Sequence, residues 1–180
     1  MTITASGLAG KTSGDSVTSV ARSVGSVTAG RRVAFCVSYW SDLALDTLTA
    51  GDLTKTAGTS TIGTVVLERQ DSIASGGGTY IHSAVFRVPI TGSGTLTLTL
   101  AGLNSGSYVT VFTEEFDASG GWDATTEAAA GAATATDSLT TWSSGNATSA
   151  GGALFLGALC WNTSGSAGLS AQNSFTSIAV

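Results

Sequence analysis

Leucine and threonine take turns along one stretch of this chain. Leu96, Leu98 and Leu100 alternate with Thr95, Thr97 and Thr99, behind a turn built from Gly92 and Gly94. A period of two puts the leucines on one face of a strand and the threonines on the other. It predicts a half-buried strand whose outer face carries no charge, turned to water or to a neighbour. Arg31–Trp40 has the same period, with Val33, Phe35, Val37 and Tyr39 set against Ala34, Cys36, Ser38 and Trp40. Thr79–Ile90 places Tyr80, His82, Ala84, Phe86 and Val88 on one face. Thr61–Arg69, Ser107–Phe116 and Gly152–Trp161 complete the strong segments, and 15–24, 45–53, 133–142 and 174–180 are weaker strand candidates.

Gly, Ser, Asn and Asp bound these segments, as turn residues do between short strands. No segment carries an apolar stripe at the helical period. Thr125–Thr136 holds six alanines but is broken by Gly131, and reads as a loop leading into a strand, with a short helix as the lesser alternative. The pattern predicts an all-β fold, an antiparallel β-sandwich. "VAFCVSYW" and "ALFLGAL" are apolar at every second position on both faces, which predicts central strands. "SGGGTY" (Ser75–Tyr80) is a hairpin loop, since a phosphate-binding loop needs a following helix and a lysine. Met1–Ser16 is polar and weakly patterned, so a flexible arm is expected there, ahead of a single domain over 17–180.

Composition narrows the chemistry. Only 11% of the 180 residues are charged against 42% hydrophobic, and the net charge is −5. Seven Lys and Arg spread along the chain supply no cationic cluster for phosphates, so nucleic acid is not expected as a partner. Arg31-Arg32 is read as the flank of a strand. No apolar run is long enough for a secretory signal or a membrane span. Cys36 and Cys160 lie in apolar runs and are expected to be buried free thiols.

Candidate reactive groups are few. His82 is the single histidine, and with two cysteines at unrelated spacings it makes no zinc pattern. No G-x-S-x-G elbow accompanies it, so a buried or interface histidine is expected. "TEEFD" brings Glu114, Glu115 and Asp117 together. Adjacent Glu114 and Glu115 point to opposite faces, while Glu115 and Asp117 share one at roughly 6.5–7 Å, near the range of a glycosidase couple. The hydrogen-bonding side chains that surround a sugar are sparse, so ordinary strand-end carboxylates are expected, with no catalytic residue, cofactor or metal. Trp40, Trp122, Trp142 and Trp161 are read as core plugs or protein-contact anchors.

Several segments in order resemble a family of phage virion proteins with jelly-roll-like β-sandwich domains. They are "SVTAGRRVAFCVSYW", "GTYIHSAVFRVPITGSGTLTLTLAG", "GSYVTVFTEEFDASGGWD" and "SGNATSAGGALFLGAL", spanning Val24 to about Trp161. The resemblance implies a capsid decoration (cement) protein that binds the major capsid protein on the outer surface of the virion. It further implies assembly in a host cytoplasm as a homotrimer. A receptor- or glycan-binding domain of a tail fibre or adhesin is the alternative. Such domains continue past a segment like "FTSIA" with further strands, so either a different closure or completion by a neighbouring subunit is expected here. Ile3, Leu8, Trp122 and Trp142 are the expected capsid or subunit contacts.

Overall fold

A computed structural model of the chain describes residues 4–5, 10–41, 48–76, 78–104 and 107–117. Ten strands make up nearly all of their regular structure: β1 (Thr4–Ala5), β2 (Gly10–Val17), β3 (Val20–Val27), β4 (Arg32–Ser41), β5 (Leu53–Ala57), β6 (Thr61–Ile62), β7 (Val66–Gly76), β8 (Thr79–Gly92), β9 (Gly94–Leu100) and β10 (Ser107–Asp117). All pair antiparallel. The larger sheet runs β1-β10-β4-β8-β6, with β2 also along β10 and β7 along β8; the smaller runs β3-β9-β5. The predicted all-β sandwich is the fold observed.

The core lies between the sheets because the period of two sends every second residue there. Val33, Phe35 and Val37 of β4, Phe86 and Val88 of β8 and Val111 of β10 meet Leu96, Leu98 and Leu100 of β9, all of them buried. Phe35 and Phe86 meet edge to face, ring centres 6.1 Å apart, a geometry favoured by the aromatic quadrupole. As expected for a strand apolar on both faces, β4 is central, held between β10 and β8.

The structure redraws some segments. Gly10–Val17, most of which falls in the stretch expected to be an arm, is β2 and pairs with β10. The chain then crosses to the other sheet at Thr18–Ser19, so β2 and β3 replace the single segment read over 15–24. Thr61–Arg69 is divided between β6 and β7, and at the break the Gly63 N–H donates to the Pro89 carbonyl at 2.8 Å. Within 45–53, Ala50–Asp52 forms a 3-10 turn, because the Asp52 carboxylate accepts from the Thr49 N–H at 2.6 Å and its hydroxyl at 2.9 Å. At Gly58 the backbone is left-handed (φ +99°), and a Cβ would overlap the Thr95 carbonyl, so only glycine suits the turn between β5 and β6. The candidates at 125–136, 133–142, 152–161 and 174–180 lie outside the described residues.

Candidate functional site

On the outer face of the smaller sheet these strands build a chemically uniform surface. Thr95, Thr97 and Thr99 of β9 face away from the leucines. Their register partners on β3 are Ser26, Ser23 and Ala21. On β5, Thr54 is paired with Thr99, and Ala57 with Thr97 across a bulge. Thr56 adds a hydroxyl 2.8 Å from that of Thr99. None of these side chains is charged. Lys55, registered with buried Leu98, takes the opposite parity at the sheet edge. The result is a face of hydroxyls and methyls, able to exchange hydrogen bonds and dispersion contacts at little desolvation cost. The composition of interface centres is likewise depleted in charge.

Of the candidate reactive residues Glu115 and His82 face the interior of the sandwich, whereas Asp117, at the end of β10, is half-buried. Glu115, expected at an ordinary strand end, is 1% exposed and faces the interior opposite Val33. Its carboxylate accepts from the Thr28 N–H at 2.5 Å and from Arg31 Nη1 at 3.1 Å. These bonds tie the loop between β3 and β4 to the end of β10. Beside it, Arg22 Nε donates to the Thr113 hydroxyl at 3.1 Å across the two sheets. Glu114 points to the opposite face and is also buried. The structure therefore places the adjacent carboxylates on different sides of the sheet, both out of solvent.

His82 is buried and stacked on Tyr39, ring centres 4.5 Å apart. Its Nε2 lies 3.0 Å from the Ser41 hydroxyl and its Nδ1 2.6 Å from that of Ser72. Both ring nitrogens thus bind hydroxyls that join β4, β7 and β8. Cys36 is a buried free thiol, and burial pushes its pKa from 9.0 up to about 12. Glu68 and Arg87 form an ion pair between β7 and β8, Oε1 to Nε 2.5 Å.

Sequence reading missed the partners in each case. Thr28, Arg31, Ser41 and Ser72 reach their carboxylate or imidazole across sheet register, and no local spacing encodes them. The signal available was the strand alternation itself, which puts Glu115 and His82 on the core parity. The expected contact residues Ile3, Leu8, Trp122 and Trp142 lie outside the described residues. Among the described residues, no helix is long and apolar enough to cross a membrane, and no three His, Cys, Asp or Glu side chains gather in a way that could hold a metal ion. Comparison of the chain with protein-family models, with curated proteins and with solved structures gave no match.

Proposed function

We propose that the chain is a virion structural protein, a decoration (cement) protein that binds the major capsid protein on the outer surface of a phage capsid, acts as a homotrimer and performs no catalysis. The observation that carries this reading is the neutral hydroxyl face of the smaller sheet. A repeating shell presents every subunit with neighbours, and an uncharged face packs against them without stranding ions. The burial of Glu115 and His82 supports the same reading, because their polar atoms hold strands together instead of facing a substrate. The segment resemblance adds the jelly-roll-like family, and with it Ile3, Leu8, Trp122 and Trp142 as contacts. In such an assembly free energy comes from contact area and multivalency.

A second reading, a receptor- or glycan-binding domain of a tail fibre, draws on Tyr108. Its ring is 51% exposed and meets Trp40 edge to face at 5.4 Å, a platform of the kind on which a sugar ring stacks. Quantitative mass spectrometry of purified particles separates the two. A copy number comparable with that of the major capsid protein is the expected result. A handful of copies per particle assigns the chain to the tail, and its absence from particles overturns both readings.

A further inference from the structure

Ser72 lies on β7, which among the described residues pairs with β8 alone, and its side chain is exposed. Its register partner on β8 is His82, the single histidine, which is 2% exposed. The Ser72 hydroxyl stands 2.6 Å from His82 Nδ1. A hydroxyl in water needs no protein partner, because solvent satisfies it at little cost. The buried imidazole does need partners, and of the two hydroxyls that serve it, Ser41 is as buried as the ring itself. Ser72 is therefore the point at which a buried base meets an open oxygen.

The ring has little freedom to turn away. Tyr39, its register partner on β4, stacks on it with an interplanar angle of 16°, and Tyr80 flanks it with ring centres 6.3 Å apart. Ser41 holds Nε2 at 3.0 Å. The tautomer with its proton on Nε2 donates to Ser41 and leaves the Nδ1 lone pair to accept from Ser72. A hydroxyl within reach of a base, with the base oriented by a third group, is the arrangement that activates serine. Both members project from paired strands, so their spacing is set by the sheet and not by a loop.

We propose that Ser72 is a nucleophile with His82 as its base, and that it accepts an acyl group from an activated ester or thioester. Ser72 Oγ attacks the acyl carbon and forms the new C–O bond, while its proton passes to His82 Nδ1. The bond to the leaving oxygen or sulfur then breaks, and the leaving group takes that proton away as an alcohol or thiol. His82 returns to its neutral form, and the chain is left with an ester on Ser72. The imidazole stays buried throughout, and only the hydroxyl is presented to solvent. One acylation is a modification and not turnover, so this inference is separate from the virion reading.

p-Nitrophenyl acetate tests it on the full-length chain, with nitrophenolate release read by absorbance and the acetylated residue by peptide mapping. The expected result is a burst of one equivalent, with the acetyl group on Ser72. Ser72→Ala should abolish the burst. His82→Asn, which keeps a polar side chain but offers no base, should slow it about a hundredfold. Acetylation confined to other residues, lysines and the amino terminus among them, overturns the proposal, as does the absence of any burst. A Ser72 burst of unchanged rate in a His82→Asn variant with native circular dichroism overturns it too. Release that continues past one equivalent keeps the nucleophile and overturns instead the non-catalytic part of the proposed function. Should His82→Asn fail to fold, the pH dependence of the wild-type burst decides. A rate that reaches a plateau as a single group loses its proton supports the base, and a rate proportional to hydroxide throughout overturns it.

Discussion

Cys36 shows how much a single residue's setting controls its chemistry. Cysteine is usually discussed as a nucleophile, but only its thiolate reacts. Here desolvation by burial raises the thiol from 9.0 to about 12, so it stays protonated across the physiological range. The raised value also makes Cys36 a contributor to stability with a defined pH window. The folded state holds the proton more tightly than the unfolded state, so the contribution is complete below about pH 9. It declines as the pH rises through about 12, because the unfolded chain gains by ionising first. A three-unit difference corresponds to an upper limit of about 4 kcal/mol. In a Cys160→Ala background, the unfolding free energy of the Cys36 protein relative to Cys36→Ala should therefore be flat to pH 9 and fall beyond it. Parallel curves up to pH 11 would show that the thiol is hydrated in the folded state.

At the scale of the element, the Leu–Thr ladder divides energy unequally between its two faces. Leu98 is fully buried between the two sheets, while Thr97 beside it faces outward. Leu98→Ala should cost about 3 kcal/mol, from lost transfer energy and the cavity left behind. Thr97→Ala should cost less than about 1 kcal/mol, as for a surface position; urea unfolding of the two variants measures the contrast. That asymmetry is what made β9, β4 and β8 legible in the sequence, because burial writes a period of two into side-chain type. β2 carries no such pattern. Gly10–Val17 reads GKTSGDSV, and its place is fixed by backbone pairing to β10 from Ser107 to Thr113, which leaves no mark on side-chain polarity. The break between β6 and β7 was hidden for a related reason, since β-branched residues continue through it while the Gly63 N–H turns to Pro89. The candidate site divides in the same way. Its threonine row could be read directly, but the partners of Glu115 could not, because Thr28 stands 87 residues away from it in the chain.

For the whole molecule, the two outward sheet faces differ in kind. The larger sheet turns a buried apolar cluster outward, and the smaller sheet turns out hydroxyls and methyls. The second is the larger uncharged stretch of exposed and half-buried side chains among those named here, so the association proposed above is expected there. A charge placed on it should harm assembly far more than folding. In the monomer, Thr97→Glu and Thr99→Glu put carboxylates into water, where each costs little beyond lost strand preference, about 0.5 kcal/mol. In a packed interface the same carboxylates lose hydration without gaining a cation, a penalty of several kcal/mol each. The double variant should therefore unfold near the wild-type midpoint, yet lose at least about a hundredfold in affinity for its own kind or for capsids, since each 1.4 kcal/mol is tenfold. Sedimentation velocity reads self-association, and co-sedimentation with undecorated capsids reads particle binding. A companion variant, Ser26→Glu, probes the end of the same face, where a rim charge should weaken association less than one at its centre. If the double variant associates and binds as tightly as the wild type, the threonine face is solvent surface and the proposed association does not use it.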